Sequence, residues 1–196
     1  MAFQDNFDGE SSEVVLTAHT PSNGTAWTFV SGLSTAMKVT TDGYVRPARS
    51  TRSMFWCDNQ GSAQQYVKID TVNLNPSNDT GICLRAQDID NYWGVRFQGL
   101  LTDASAIYKV NAGVVTVEDS FTAANGKEYV AEAVGNTITV YENGAEVASV
   151  TDSFNNSENR AGLIANANLS NYVLDNFEHG AGTYQPSNLE VQESGV

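Results

Sequence analysis

The sequence predicts an all-β protein built as an antiparallel β-sandwich. The clearest observation is a β-meander, in which strands Lys127–Val134, Thr137–Glu142 and Ala145–Thr151 are joined only by Gly135-Asn136 and Asn143-Gly144. Joins of two residues need positive φ angles, which glycine and asparagine adopt most easily. The flanking residues alternate in polarity and are rich in Val, Ile, Thr and Tyr, as half-buried strands are.

The second observation is the spacing of turn-forming residues. Gly, Asn, Ser, Thr and Asp recur at short intervals between apolar runs, and no heptad or clear helical pattern interrupts them. Such spacing is typical of a sandwich of many antiparallel strands. The other strands are predicted, in chain order, at Ala2–Phe7, Trp27–Val30, Ala36–Thr40, Arg52–Cys57, Gln65–Val72, Gly81–Gln87, Tyr92–Gln98, Ala106–Asn111, Val114–Glu118, Gly162–Asn166 and Tyr172–Phe177.

The length of 196 residues suits one large sandwich, which we place at residues 1–179. Residues 180–196 lack periodicity and contain Gly, Pro, Ser and Gln, so they are predicted to form a C-terminal arm. The run Asp5-Asn6-Phe7-Asp8 resembles Asp175-Asn176-Phe177-Glu178. This echo predicts that the first and last strands lie side by side.

The charge balance argues against nucleic-acid binding. The formal net charge is −13 with only 10 Lys and Arg residues, so the protein repels phosphates. Three of the basic residues, Arg46, Arg49 and Arg52, lie in one short segment. Two interpretations of that segment stay open, a solvated loop and a basic patch that docks on an acidic partner surface.

The sequence predicts neither a metal site nor export through a signal peptide. Cys57 and Cys83 are not part of a CxxC pair, and both lie in apolar runs, so buried free thiols are expected. A disulfide between neighbouring strands is the alternative. The start of the sequence shows no signal-peptide pattern, and no apolar run is long enough to cross a membrane. We therefore expect no membrane contact.

One possible sugar-binding face follows from the alternation within three strands. If the strands around Val67, Leu84 and Val95 are neighbours, their outward residues share one exposed sheet face. Those residues are Tyr66, Lys68, Asp70, Arg85, Gln87, Tyr92, Arg96 and Gln98. Aromatic and hydrogen-bonding groups in this mixture could bind a glycan, and an ordinary solvated sheet face is the alternative.

The aromatic residues divide into predicted core and predicted surface. Trp27, Trp56 and Trp93 lie in apolar strand-like contexts, which predicts that they are in the core. Tyr44, Tyr92 and Tyr141 are better candidates for exposed contacts.

Catalytic groups are not predicted. Asp88 and Asp90 lie in a turn, where aspartate is an ordinary turn former, and a glycosidase needs its two carboxylates on rigid supports. Glu128 and Glu132 lie four residues apart on one strand face and are interpreted as an exposed edge. No serine nucleophile lies in a suitable context near His19 or His179, so the sequence predicts a protein that is not an enzyme.

Several segments in order resemble the concanavalin A-like lectin/glucanase jelly roll in its laminin-G-like form. They are Phe7-Asp8-Gly9, Ala18-His19-Thr20-Pro21 with Trp27, Gly81–Ala86, Asp90–Val95, Gly135–Gly144, Val150–Ser153, Ala161–Leu163 and Leu174–Phe177. The resemblance implies a jelly-roll sandwich. It does not imply one activity, because the fold hosts lectins, glycan-binding modules, hydrolases and virus particle proteins. Members often bind calcium through loop aspartates, for which Asp5, Asp8, Asp152 and Asp175 would be the candidates, but no cofactor is predicted.

Two functions follow as hypotheses. The first is a virion structural protein of a tailed bacteriophage, a capsid decoration or cement protein that binds the major capsid protein, forms a homotrimer and is located in the virion. The segment Arg46–Arg52 or the termini would contact the capsid shell. The second is a carbohydrate-binding module, for example a tail-associated adhesin for host glycans. The resemblance and the missing catalytic groups agree with both.

Overall fold

The protein is an antiparallel β-sandwich, as predicted. The computed structural model describes residues 2–24, 26–57, 60–74, 80–98, 104–168 and 172–185. Within these ranges there is no α-helix, and the only helical turn is a 3₁₀ turn at Leu16–Ala18. None of the described segments forms a helix with the length and apolar character that a bilayer crossing requires.

The strands and their bounds are as follows. They are β1 (Phe3–Asp5), β2 (Val14–Val15), β3 (Thr28–Ser31), β4 (Met37–Val39), β5 (Val45–Trp56), β6 (Gln65–Asn73), β7 (Gly81–Asp88), β8 (Asn91–Arg96), β9 (Ser105–Asn111), β10 (Val114–Phe121), β11 (Lys127–Val134), β12 (Thr137–Glu142), β13 (Ala145–Thr151), β14 (Gly162–Asn168) and β15 (Val173–Ala181).

These strands form two sheets. Sheet A has the order β2-β4-β5-β15-β6-β11-β12-β13, with β1 also paired to β15. Sheet B has the order β10-β9-β8-β7-β14-β5-β3. Strand β5 belongs to both sheets, since Val45–Pro47 pairs with β4 while the part up to Trp56 pairs with β14 and β3. A long strand that changes sheets forms a corner of the sandwich.

The first half of β5 was not predicted as a strand. The strand was predicted only from Arg52, because the segment with Arg46 and Arg49 was interpreted as a solvated loop or a basic patch. In the structure Pro47 lies opposite Met37, close to the point where β5 leaves sheet A. The next residue, Ala48, donates its N–H to the Ala36 carbonyl at 2.7 Å, so the chain remains paired there.

The meander β11-β12-β13 has the predicted turns. Gly135 has a φ of 57°, and Asn143 and Gly144 have φ angles of 48° and 82°. These left-handed conformations explain why glycine and asparagine occupy the joins. Strand β11 pairs with β6 on its other side, so the meander forms one end of sheet A.

The core lies between the two sheets. Its buried residues include Val67 and Ile69 from sheet A and Ile82, Trp93 and Val95 from sheet B, as the alternation predicted. Cys57 and Cys83 are free and buried, in agreement with the expected thiols. Burial raises the pKa of the Cys83 thiol, which therefore stays protonated.

The first and last strands lie side by side, as the sequence echo predicted. Phe3 is opposite His179, and Asp5 is opposite Phe177. The buried Asp5 carboxylate accepts the Phe7 N–H at 2.8 Å and the Trp27 Nε1–H at 2.6 Å, and its Oδ1 lies 2.9 Å from His19 Nε2. A buried carboxylate needs such partners, and here they secure the N-terminal segment against β15.

Arg85 joins the two sheets at one end of the sandwich. It lies on β7 of sheet B with a φ of 46° and is only 1% exposed. Its Nη2 donates to the Gly135 carbonyl of sheet A at 2.7 Å, and its Nε and Nη2 lie 3.4 Å from the Ala63 carbonyl. Burial lowers the pKa of the guanidinium. The pairing register shifts beyond Leu84, so Ala86 packs on the outer face of sheet B instead of the predicted inner face.

Asp175 lies where several carboxylates approach one another. It is opposite Asp70 across the β15–β6 pair. Burial raises its pKa to about 6, the negative charges of Asp70, Asp8 and Asp5 add to the rise, and the hydrogen bond from the Asn176 N–H opposes it. Asp175 is therefore protonated at a higher pH in the folded protein than in the unfolded chain.

We expect Arg85→Ala to lower the free energy of unfolding by about 3 kcal/mol, because the partly buried hydrogen bonds to the Gly135 and Ala63 carbonyls are lost and a cavity is left in place of the buried side chain. Urea unfolding followed by tryptophan fluorescence measures the change. Arg49→Ala is the matched control, since the Arg49 side chain is exposed and donates to the adjacent Ala48 carbonyl; its effect should stay within about 0.5 kcal/mol. Equal effects of the two variants would contradict the joining role of Arg85.

We expect Asp175→Asn to stabilise the protein at high pH. The folded pKa of about 6 exceeds the ordinary 3.8, so the contribution of Asp175 to stability is complete below 3.8 and is lost as pH rises through 6. Unfolding free energies should favour the variant by about 1 kcal/mol near pH 8, after allowance for solvent screening, and should converge near pH 4. The exposed Asp42→Asn is the control. A variant that is less stable at high pH would contradict the assignment.

Candidate functional site

A cleft of about 580 Å³ lies on the outer face of sheet A, and we call it the sheet A cleft. Its size is within the usual range for a small-ligand site. Strands β11 and β12, the turn after β12 and the segment following β15 form it. The lining residues are Glu128, Val130, Glu132, Tyr141, Asn143, Gly144, Thr183, Tyr184 and Gln185.

The alternation of β11 places two carboxylates in this cleft. Tyr129, Ala131 and Ala133 point into the core, so Glu128 and Glu132 point outward. Strand β11 lies between β6 and β12, so the interpretation of these glutamates as an exposed edge is wrong. The sequence showed that they share a strand face but could not show which strands flank it.

The segment after β15 forms one wall of the cleft. Gly182 donates its N–H to the Gln64 carbonyl at 2.7 Å. Tyr184 donates its N–H to Glu132 Oε1 at 2.6 Å, and its hydroxyl lies 3.4 Å from Glu128 Oε2. Its ring centroid is 5.3 Å from that of Tyr66. No sequence pattern identified this wall, because residues 182–185 have no periodicity.

The C-terminal arm predicted at residues 180–196 does not begin at residue 180. Strand β15 runs to Ala181, two residues beyond the proposed boundary at residue 179, and residues 183–185 line the cleft. Residues 186–196 of the predicted arm lie outside the described residues.

The electrostatic potential in the cleft is negative, because the charged groups that line it are carboxylates. Burial raises the pKa of Tyr184 to about 12, and the nearby carboxylates of Glu128, Glu178 and Asp70 add to the rise. Burial also raises the pKa of Tyr141, with Glu132 and Glu146 adding to it. Both phenols therefore stay neutral near pH 7 and can donate hydrogen bonds, while the carboxylates accept them.

The eight residues of the predicted glycan face do not lie together. Strand β6 belongs to sheet A, whereas β7 and β8 belong to sheet B, so the assumption that the three strands are neighbours is wrong. Tyr66, Lys68 and Asp70 lie on the outer face of sheet A beside the cleft. A period of two assigns each residue to a face of its own strand but does not say which strands share a sheet.

The sheet B members of that set differ in exposure. Arg85 is the buried residue that joins the sheets, Tyr92 is 1% exposed and Gln98 is 4% exposed. Arg96 is half-buried and Gln87 is exposed. The expectation that Arg85, Tyr92 and Gln98 are accessible on a sheet surface is therefore wrong.

The outer face of sheet B carries a second apolar cluster. Its buried residues are Met54, Cys83, Ala86, Tyr92, Tyr108, Val110 and Ile164. Trp56, predicted to be in the core between the sheets, packs against this cluster instead and is half-buried. The Arg160 guanidinium lies over the Trp56 ring, 4.1 Å from its centroid. Tyr92 and Tyr108 on this face are only 1% and 2% exposed.

Arg46, Arg49 and Arg52 do not form one basic patch. They lie on strand β5, so the interpretation as a solvated loop is also wrong. Arg46 Nε donates to Glu13 Oε2 at 2.9 Å, and Arg52 Nη2 lies 3.1 Å from Asp90 Oδ1. The strand carries Arg46 in sheet A and Arg52 towards sheet B. Contact of these residues with a capsid stays a prediction.

The aspartates proposed for calcium do not fit a shared ion site. Asp5 already accepts hydrogen bonds from Phe7 and Trp27 and contacts His19. Asp152 forms an ion pair with Lys109. Across the described ranges, no group of three or more His, Cys, Asp and Glu side chains is placed to hold a metal ion.

Solved structures similar to this one include proteins that bind or cleave carbohydrates. The carbohydrate-binding module CBM66 from Bacillus subtilis is 20% identical with a TM-score of 0.59, and the match covers 81% of this chain and 96% of that one. The exoplasmic/lumenal domain of VIP36, in a Ca²⁺- and mannose-bound form, is 13% identical with a TM-score of 0.56, covering 89% and 91%.

A third similar structure is a β-1,3-1,4-glucanase (lichenase) from a mouse hindgut metagenome, 14% identical with a TM-score of 0.55, and the match covers 91% of this chain and 98% of that one. No protein family model and no curated protein matches the chain. At these identities the likeness is one of fold. The chain therefore has the concanavalin A-like jelly-roll fold that its sequence predicts.

Proposed function

We propose that this protein binds carbohydrate and that the sheet A cleft is its binding site. The observation that carries the proposal is a cleft of about 580 Å³ in which tyrosine side chains lie beside carboxylates and two side-chain amides. A sugar presents apolar C–H groups on its ring faces and hydroxyls at its edge, so it suits a site of this composition. The carbohydrate-binding module and the mannose-bound domain of the same fold support this class of ligand.

Each lining group has a part in the proposed binding. The ring of Tyr141, half-buried on β12, offers a face on which a sugar ring can pack. Glu128 and Glu132 accept hydrogen bonds from sugar hydroxyls, and bonds to charged acceptors are stronger than neutral ones. The Tyr184 N–H already holds Glu132 in position at 2.6 Å, which lowers the entropy lost on binding.

The same groups suit binding better than hydrolysis. Glu128 and Glu132 lie four residues apart on one face of β11, and the apolar Val130 lies between them on that face. A glycosidase needs both of its carboxyl groups free to act on one glycosidic bond, but Glu128 Oε2 lies 3.4 Å from Lys68 Nζ. Glu132 is also engaged by Tyr184. We therefore propose a binding protein without catalytic residues.

We expect Tyr141→Ala to weaken glycan binding about tenfold, because loss of the ring removes roughly 1.5 kcal/mol of packing. A glycan array identifies a ligand, and isothermal titration calorimetry then compares the dissociation constants. Tyr44→Ala is the matched control, since Tyr44 is half-buried but does not line the cleft. Equal losses in both variants would contradict the assignment of the site, and an array without any bound glycan would contradict the function.

The phage decoration protein is the second candidate. One observation favours the self-association it requires. Strand β10 is at the edge of sheet B, and Val114, Val115 and Val117 on it are 66%, 45% and 47% exposed. An edge strand with exposed valines can pair with another chain. Binding to the major capsid protein and location in the virion rest on the sequence-based prediction.

If the protein forms the predicted homotrimer through β10, light scattering after gel filtration should give three times the chain mass, and Val115→Lys should convert the trimer to monomers. Lys127→Ala, away from that edge, should leave the trimer intact. A monomeric wild-type protein at high concentration would contradict this second candidate.

A further inference from the structure

We propose that the sheet A cleft selects sugars that carry a protonated amino group. This inference rests on the proposed function and names the ligand class of the same site. Glu128 and Glu132 line the cleft, and none of its described lining residues is lysine or arginine. Lys68, outside the lining, contacts Glu128, with its Nζ 3.4 Å from Glu128 Oε2. The lining therefore has an excess of negative charge.

The Glu132 carboxylate has an oxygen available for such a ligand. Its Oε1 accepts the Tyr184 N–H at 2.6 Å, while Oε2 makes no hydrogen bond to the described part of the chain. Glu128 is 33% exposed, and its Oε2 has only longer contacts of 3.4 Å to Tyr184 and Lys68. An ammonium group can donate to either carboxylate, and such a bond would be charge-assisted.

The tyrosines add a second attraction for a cation. The Tyr184 ring packs against Tyr66 with centroids 5.3 Å apart, and Tyr141 lines the cleft beside the glutamates. A cation near the face of an aromatic ring is attracted by the ring quadrupole. The raised pKa of Tyr184 has burial as its first cause and the carboxylates Glu128, Glu178 and Asp70 as further causes, which agrees with a negative potential here.

The same charges disfavour other sugar classes. A uronic acid or a phosphorylated sugar would bring a negative charge against Glu128 and Glu132, and the net charge of −13 strengthens this repulsion at a distance. A neutral sugar can bind the cleft but gains hydrogen bonds of ordinary strength only. The ranking we expect is therefore amino sugar, then neutral sugar, then anionic sugar.

The first experiment compares three ligands of matched length by calorimetry, using the full chain. The probes are the β-1,4-linked tetramers of glucosamine and of N-acetylglucosamine and the α-1,4-linked tetramer of galacturonic acid. The pH is chosen so that the glucosamine amines are protonated. We expect the glucosamine tetramer to bind at least about tenfold more tightly than the acetylated one, as expected for a charge-assisted hydrogen bond. Its affinity should fall as salt rises, because salt screens exposed charges over about 10 Å at 0.1 M.

The second experiment tests the residue. Glu132→Gln keeps an oxygen that can accept the Tyr184 N–H but removes the charge, so we expect roughly tenfold weaker binding of the glucosamine tetramer and little change for the acetylated tetramer. Asp90→Asn removes one charge on the opposite sheet and is the matched control. Circular dichroism and urea unfolding confirm that each variant is folded.

The outcomes separate this inference from the proposed function. If the acetylated tetramer binds as tightly as the glucosamine tetramer, or if Glu132→Gln weakens both equally, the selectivity is overturned and carbohydrate binding stands. Equal losses in Glu132→Gln and Asp90→Asn would show a general charge effect and would also overturn it. If no tetramer binds and a broad glycan array is also empty, both proposals are overturned.

Discussion

Burial of one face of the central strands between the two sheets is the constraint on which the rest of the structure depends. In β11 the inward side chains of Tyr129, Ala131 and Ala133 are buried, and for that reason Glu128 and Glu132 must face outward. A shift of one residue in the pairing of β11 with β6 would exchange the two sets, placing carboxylates in the core. The large cost of burying those charges excludes that register. The position of the cleft residues therefore follows from the same apolar burial that stabilises the fold.

The two sheets are held in a defined relation by covalent and polar connections. Strand β5 passes from sheet A to sheet B, and Arg85 of sheet B donates to the Gly135 carbonyl of sheet A. The Gly135 turn joins β11 to β12, the strands that carry much of the cleft lining. A rigid support of this kind suits a binding surface, because groups held in place before binding lose less conformational freedom when the ligand arrives.

The sequence identified the class of the protein more completely than its site. Turn residues at Gly135, Asn143 and Gly144, together with alternating strands, predicted the meander, because positive φ angles and half-buried strands have local causes. The same alternation placed Val67 and Trp93 in the core. It failed at Arg85, where a left-handed residue and a shift in register move Ala86 to the outer face. It also failed for Tyr92, which is buried in an outer cluster that no local pattern indicates.

The sequence by itself determined the all-β class, the tight turns, the neighbouring first and last strands and the absence of a recognisable catalytic motif. Each of these depends on residues close together in the chain or on a direct likeness between two segments. Only the tertiary structure decided that β6 and β8 belong to different sheets and that Arg46 and Arg52 are separated. It also decided that Tyr184 forms a wall of the sheet A cleft and donates its N–H to Glu132. These facts depend on which strands pair across large separations in sequence. Local polarity sets the face of a residue, whereas strand order sets its neighbours.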